Sequence, residues 1–158
     1  LMTPRQFEEE LIASGYLHEK MPKKNKDRRA QPFSFTAPDG MTILVGKNNM
    51  QNDALTFRTA APTDLWLHVR DIPGSHVILR TGGEAPSEET LHLAAQIAAH
   101  FSKARGSSTV PVDYTAIRFV KKPSGSVPGF VRFTHEKTLF VTEDEEALAP
   151  ILAQDPTV

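Results

Sequence analysis

The sequence contains no cysteine, which excludes disulfide bonds, cysteine metal ligands and a thiol nucleophile, and which agrees with a reducing compartment. No apolar run approaches the roughly 20 residues that a membrane-spanning helix needs, so no membrane segment is expected. The chain begins with leucine rather than methionine, as a fragment would, so the absence of a signal peptide carries no conclusion. The 158 residues are enough for one globular domain with tails.

Familiar catalytic motifs are also missing. The sequence has no Gly-x-Ser-x-Gly elbow, no His-Glu-x-x-His pair, no P-loop and no dinucleotide fingerprint. A divalent metal held by Asp64, His68, Asp71 and His76 stays open as an alternative, although Asp71 falls in a predicted turn. We therefore expect a binding protein rather than an enzyme, with no cofactor and no metal.

Charge is segregated along the chain, although the formal net charge is only −1. Residues 20–29 are strongly basic, and a second group of cations follows later: Lys103, Arg105, Arg118, Lys121, Lys122 and Arg132. Acidic residues concentrate at 8–10, 84–89 and 143–146. A polyanion would meet local basic surface that the overall charge hides. The alternative is that each charge run is a solvated face or a linker.

The pattern of apolar residues predicts an α+β fold, with a largely antiparallel sheet of short strands packed against one long helix. Strands are expected at residues 33–36, 41–45, 55–58, 64–70, 76–80, 114–120, 130–133 and 138–142. The long helix is expected over residues 87–103, with Ser87 as its N-cap. Its apolar stripe comprises Leu91, Ala94, Ala95, Ala98 and Phe101.

Three regions are expected in the chain. Residues 1–32 are predicted to form an N-terminal helix, capped by Thr3 and begun by Pro4, followed by a basic linker. Residues 33–142 are predicted to form the folded domain. Residues 143–158 are predicted to be an acidic C-terminal tail, either frayed or a short helix.

The most informative stretch covers residues 64–80. With the period of two that a strand imposes, one face carries only apolar side chains: Leu65, Leu67, Val69, Val77 and Leu79. The opposite face carries Trp66, His68, His76 and Ile78, with Asp64 near Arg80. This separation requires Leu67 opposite Val77 and an odd-length connection, in which Pro73 and Gly74 suit a type II turn. The alternative is that Trp66 and Ile78 lie under a helix, with both histidines satisfied by hydrogen bonds.

An outward face of this composition would suit a nucleic acid. The indole of Trp66 could stack on a base, a contact worth roughly 1–3 kcal/mol. Phosphates could be neutralised by Arg70, Arg80, Lys121, Lys122 and the basic linker. The side-chain amides of Asn48, Asn49, Gln51 and Asn52 could bind base edges, ribose hydroxyls or phosphates, or the segment could instead form a tight structural turn.

Several motifs occur in order along the chain. They include Val45-Gly-Lys-Asn-Asn-Met-Gln-Asn-Asp53, Asp64-Leu-Trp-Leu-His68, Asp71-Ile-Pro-Gly-Ser-His-Val77, Val110-Pro-Val-Asp-Tyr-Thr115 and Val120-Lys-Lys-Pro123. Over about residues 6–142, the sequence resembles the NFACT-R domain family. These domains are the C-terminal RNA-binding domains of the bacterial RqcH proteins, which are also labelled fibronectin-binding protein A-like.

The resemblance implies a non-enzymatic role in ribosome-associated quality control in the cytoplasm. Proteins with this domain bind tRNA and the large ribosomal subunit that carries a stalled nascent chain, and they support the addition of a C-terminal alanine tail. The remaining domains of the parent protein, including the one with the Asp-Arg pair needed for tailing, are not visible here. The chain is therefore expected to bind RNA without supporting elongation.

We place the predicted nucleic-acid site on the matching motifs. The residues are Lys47, Asn48, Asn49, Asn52, Trp66, His68, Arg70, Ser75, His76, Arg80, Lys121 and Lys122. The alternative functions are an extracellular fibronectin-binding adhesin and a metal-dependent nuclease.

Overall fold

The computed structural model describes residues 31–158, so the predicted N-terminal helix and basic linker lie outside the described residues. In chain order, the elements are β1 Phe33–Thr36, β2 Thr42–Val45, α1 Asn49–Ala54, β3 Leu65–Val69, β4 Val77–Arg80, α2 Glu88–His100, β5 Val110–Ala116, β6 Val120–Lys121, β7 Arg132–Phe133, β8 Lys137–Val141 and α3 Glu145–Leu152. Among these residues, no helix is long and apolar enough to cross a bilayer.

Six strands form one sheet in the order β1-β2-β4-β3-β5-β8, and every neighbouring pair is antiparallel. The predicted α+β class with a largely antiparallel sheet is therefore confirmed. Strands β6 and β7 pair only with each other, as a separate two-stranded ribbon. We call this pair the ribbon.

The predicted register of the central hairpin is confirmed. Leu65 lies opposite Leu79, Trp66 opposite Ile78, and Leu67 opposite Val77. This register places the purely apolar face of both strands in the main core, because a shift of one residue would turn that face to the other side.

The predicted type II turn in the hairpin connection is wrong. Gly74 does not adopt a positive φ, whereas Asp71 does, at 55°. Gly74 instead permits close approach to the end of α2, because a Cβ on Gly74 would lie 2.8 Å from the Cβ of Ser102. Backbone hydrogen bonds from Ser75 to Phe101 and from Lys103 to Pro73 hold the connection there.

The main core lies between one face of the sheet and α2. Ser87 caps α2 as predicted, since its hydroxyl accepts a hydrogen bond from the amide of Thr90 at 3.1 Å. The helix ends at His100, three residues earlier than predicted, and Ser102 just beyond it bridges to Gly74. Its small side chains allow close packing on the sheet, with Ala94, Ala95, Ala98 and Ala99 all buried.

The segment predicted as an acidic tail contains α3, which packs on the domain. Leu148 and Ile151 of α3 are buried in the main core. The amide of Gln154 both donates to and accepts from the backbone of Thr36, at 2.9 and 2.7 Å, and so pairs with part of β1 at the edge of the sheet. The acidic run at 143–146 therefore precedes an apolar helix face that packs on the domain, which the prediction of a tail did not include.

A second layer covers the opposite face of the sheet. The predicted strand at residues 55–58 is wrong: helix α1 continues directly into a π-helical turn, Leu55–Thr59, whose Leu55 points into the protein. The predicted long strand at 114–120 is also wrong in part, because β5 ends at Ala116 and a 3-10 turn leads into β6. The predicted terminal hairpin is wrong because β7 pairs with β6, whereas β8 pairs with β5.

This second layer closes over the face that carries Trp66. A small second core forms there from five buried side chains: Leu55, Trp66, Ile78, Ile117 and Val120. Phe133 of β7 packs against this core, with its ring centroid 4.7 Å from that of Trp66. Trp66 is only 1% exposed. The outward-facing platform is therefore wrong. Trp66 and Ile78 are covered, as the alternative held, but the cover is the ribbon and a π-helical turn rather than one helix.

We expect Trp66→Ala to reduce the free energy of unfolding by about 3–5 kcal/mol, because a large buried aromatic leaves a cavity under the ribbon. Urea denaturation followed by circular dichroism measures this decrease without relying on the tryptophan. Phe140→Ala is the matched control: Phe140 is 62% exposed, so we expect a change within about 0.5 kcal/mol. Equal effects of the two substitutions would contradict a second core.

Candidate nucleic-acid interface

The imidazole of His76 joins three segments of the chain. Its Nε2 lies 3.1 Å from the carbonyl oxygen of Gly129, in the loop between β6 and β7, and its Nδ1 lies 2.8 Å from the hydroxyl of Thr56. Because a carbonyl can only accept, Nε2 carries the proton and the Thr56 hydroxyl donates to Nδ1. The ring is neutral: burial, followed by the nearby His68, lowers the pKa of His76 to about 3.

Residues 46–52, which lead into α1 and form its first turn, support this junction. Asn48 caps α1, because its side-chain oxygen accepts a 2.9 Å hydrogen bond from the backbone amide of Gln51. Buried Asn52 accepts a hydrogen bond from the backbone amide of His76 at 3.0 Å. Gly46 leaves no room for a side chain, since a Cβ would lie 2.0 Å from Oδ1 of Asn52. The structural-turn alternative therefore accounts for the contacts of Asn48 and Asn52.

Asp53 and Lys122 fasten the same loop. The carboxylate of Asp53 accepts a hydrogen bond from the amide of Gly129 at 2.9 Å and lies 3.2 Å from the ammonium of Lys122. That ammonium also donates to the carbonyl of Val127 at 2.7 Å. Lys122 is partly buried and binds the loop through these contacts. Its neighbour Lys121 is exposed.

The predicted clustering of the rings around Trp66 is confirmed, but their predicted accessibility is not. His68 stacks on Trp66 at 5.7 Å between centroids, and His76 meets Trp66 edge-on at 5.4 Å. His76 is only 2% exposed, while His68 is partly buried and burial lowers its pKa. Trp66 and His76 cannot stack on a base, because Phe133 and the loop at Gly129 already cover them.

The two predicted phosphate-binding arginines are exposed but engaged in ion pairs. Arg70 lies 2.9 Å from the carboxylate of Asp113, which raises the pKa of Arg70, and Arg80 lies 2.8 Å from the carboxylate of Asp64. The predicted proximity of Asp64 and Arg80 is thereby confirmed. The register puts Arg70 and Arg80 at opposite ends of the hairpin, so they do not form one site.

The remaining predicted residues are scattered. Lys47 is partly buried, with its ammonium 4.5 Å from the ring centroid of Phe33. Ser75 is partly buried beside the end of α2, and Asn49 is exposed next to Gly129. The predicted residues therefore do not form one exposed surface: most of them hold the hairpin and the loop at Gly129 in place, whereas Asn49 and Lys121 are exposed.

The carboxylates of the metal alternative, Asp64 and Asp71, do not share a site with the histidines. Buried Asp64 accepts backbone hydrogen bonds from Ala61 and Thr81, at 2.9 and 3.0 Å, in addition to its ion pair. Asp71 is exposed in the hairpin connection. Across residues 31–158, no group of three or more histidine or carboxylate side chains could hold a metal ion.

The outer side of the ribbon carries cations that the sequence-based site only partly included. Val120 and Phe133 face the second core, so their neighbours Lys121 and Arg132 face solvent, directly opposite each other. Within the described part of the chain, neither forms an ion pair with a carboxylate. Like charges placed opposite each other in a ladder are destabilising, and a bound anion would relieve that repulsion.

Next to this pair lies an aromatic stack that sequence reasoning missed. The His135 ring lies on the Phe119 ring with centroids 4.0 Å apart, and the guanidinium of Arg118 lies 4.8 Å from the same Phe119 centroid. Arg118 and His135 are exposed. The sequence held a signal for the ribbon cations, because apolar and basic residues alternate at 120–121 and 132–133 as in a strand with one basic face. It held none for the stack.

Comparison with known proteins gives a consistent result. The sequence model of the family described as "NFACT protein RNA binding domain" matches residues 31–133. The Rqc2 homolog RqcH of Bacillus subtilis is 50% identical over 146 residues, covering 90% of this chain and 25% of that protein. The Rqc2 homolog RqcH of Streptococcus suis is 47% identical over 144 residues, covering 90% and 26%. The chain thus spans about a quarter of the length of these curated relatives.

A solved structure is similar as well. It is the C-terminal region of the fibronectin/fibrinogen-binding protein from Streptococcus suis, which matches with a TM-score of 0.74 and 44% sequence identity. The match covers 92% of this chain and 58% of that one.

We expect His76 to make stability pH-dependent. The pKa of the His76 ring is 6.5 in the unfolded chain and about 3 in the folded protein. The stabilisation from its neutral form is therefore fully present above pH 6.5. It disappears as the pH falls toward 3, because only the unfolded chain binds the proton. In urea denaturation between pH 6 and pH 4, His76→Gln should make the fall in stability shallower by about 1 kcal/mol per pH unit.

His92→Gln is the matched control, because His92 is exposed on α2. That substitution should leave the pH dependence unchanged. Parallel curves for wild type and His76→Gln would contradict a neutral, hydrogen-bonded ring.

Proposed function

This chain belongs to the family of NFACT protein RNA-binding domains, and from that membership and the exposed cations of the ribbon we propose how it acts. The domain binds tRNA and ribosomal RNA on the large ribosomal subunit, and it contributes that binding to a quality-control factor acting on stalled nascent chains. Its part is recognition rather than chemistry. The observation that carries the proposal is the basic outer face of the ribbon, displayed by a domain of an RNA-binding family.

Charge complementarity supports the ribbon as the RNA-binding surface. Lys121 and Arg132 are exposed and adjacent, and Arg118 adds a third cation close by. By contrast, Arg70, Arg80 and Lys122 are each neutralised by a carboxylate. Binding phosphates at the ribbon would release counterions from RNA without breaking an ion pair of the fold.

The relatives support the setting in which this binding takes place. The names of the similar Bacillus and Streptococcus proteins identify them as homologs of Rqc2, and the chain matches about a quarter of each. We propose that the rest of a longer parent protein supplies the machinery for C-terminal alanine tailing. The domain described here would help to hold that machinery on tRNA and on the subunit in the cytoplasm.

A second candidate comes from the similar Streptococcus suis structure, whose protein is named for binding fibronectin and fibrinogen. The ribbon cations could bind acidic segments of such proteins. Immobilised fibronectin therefore serves as a competing ligand in the test of the proposal. Binding to fibronectin that exceeds binding to tRNA at the same salt concentration would favour this candidate.

We expect the double substitution Lys121→Glu and Arg132→Glu to weaken tRNA binding by at least tenfold at low salt. The slope of log K against log salt should become shallower by about 0.7–0.9 for each phosphate that the variant no longer neutralises. The measurement is fluorescence anisotropy with labelled tRNA, repeated by cosedimentation with large ribosomal subunits.

The matched control is Lys103→Glu with Arg105→Glu, which makes the same charge change beyond the end of α2, on the other side of the sheet. These control changes should have a clearly smaller effect. If both double variants bind tRNA equally well, the ribbon is not the RNA-binding surface.

A further inference from the structure

The aromatic stack beside the ribbon has features of a built surface rather than of core packing. Neither Phe119 nor His135 belongs to the second core, although Val120 and Phe133, one and two residues away along the chain, pack there. One face of the His135 ring rests on Phe119, and the side chain as a whole is exposed. The arrangement therefore supports a flat ring from beneath and presents it to solvent.

The backbone holds this ring in an uncommon conformation. His135 has a φ of 61°, in the left-handed region that few residues other than glycine adopt. The preceding residue, Thr134, fixes the turn: its amide donates to the carbonyl of Phe119 at 3.2 Å, and its carbonyl accepts from the Thr115 hydroxyl of β5 at 2.8 Å. The ring is thus anchored to the main sheet through Thr134.

The charged pair of the ribbon lies within reach of the stack. Lys121 is two residues from Phe119. Because Val120 between them is extended, their Cα atoms lie about 7 Å apart. Its partner Arg132 faces the same side. A ligand with negative charges spaced next to a flat ring matches this arrangement, and one nucleotide of a single strand has that composition.

Resting on the proposed function, we propose that the outer side of the ribbon binds single-stranded RNA, with an unpaired base stacked on His135 and the flanking phosphates bound by Lys121 and Arg132. Bases within a duplex are already stacked on one another, so this site selects unpaired nucleotides. An acidic peptide would satisfy the cations but would leave the ring unused, which makes RNA the better-matched ligand.

The test uses the full chain and four probes: a short single-stranded RNA containing 2-aminopurine, the same sequence as a blunt duplex, inorganic polyphosphate and an oligoglutamate peptide. The key variant is His135→Asn, because asparagine tolerates the left-handed conformation while removing the ring. We expect a roughly fivefold to tenfold loss of affinity for the single strand, at the lower end of the range for base–aromatic stacking. The quenching of 2-aminopurine on binding should disappear as well.

Two further comparisons separate stacking from other effects. His135→Tyr retains a ring and should retain most of the single-strand affinity and the quenching, whereas binding of the duplex and of polyphosphate should not change in either variant. Thermal denaturation of both variants confirms that the fold is intact.

Three results would overturn the stacking site. These are wild-type affinity and quenching in His135→Asn, an equal loss for single strand and polyphosphate, and tighter binding of an oligoglutamate peptide than of the single strand. If the first result occurs while Lys121→Glu with Arg132→Glu still weakens tRNA binding at least tenfold, the stacking site is wrong and the proposed RNA-binding function stands.

Discussion

The position of the ribbon depends on one buried, neutral imidazole. A ribbon of two short strands is too small to be stable by itself, so it must be held by contacts to the rest of the domain. His76 supplies the central hydrogen bond to Gly129, while Phe133 packs on Trp66 beneath it. The residues predicted to touch RNA thus act mainly as the support, and the exposed residues of the ribbon form the candidate RNA-binding surface, as expected when binding groups lie on loops positioned by a rigid scaffold.

Sequence periodicity predicted the elements whose partners are close along the chain. The pairing of Leu65 with Leu79 followed from the alternation of apolar residues alone, because only that register puts all of them on one face. The Ser87 cap and the start of α2 were also predictable, since they depend on neighbouring residues. The proximity of Trp66, His68 and His76 followed from the same register.

Periodicity could not show what covers a face. The cover of Trp66 comes from Leu55, Val120 and Phe133, which are distant in sequence and meet only in the folded chain. The apolar residues after α1 have strand-like propensity, but packing of Leu55 under the sheet keeps that segment helical. The stack of Phe119 and His135 was equally hidden, because it depends on a left-handed residue in a turn between two different sheets.

The helix near the C-terminus has a practical consequence for dissecting larger proteins of this kind. A recombinant fragment cut after residue 142 would lack Leu148 and Ile151 in its interior. It would also lack the amide of Gln154, which imitates a neighbouring strand along β1. The bare edge left behind would offer a template for pairing between copies, so such a fragment should aggregate where one extending past residue 154 stays dispersed.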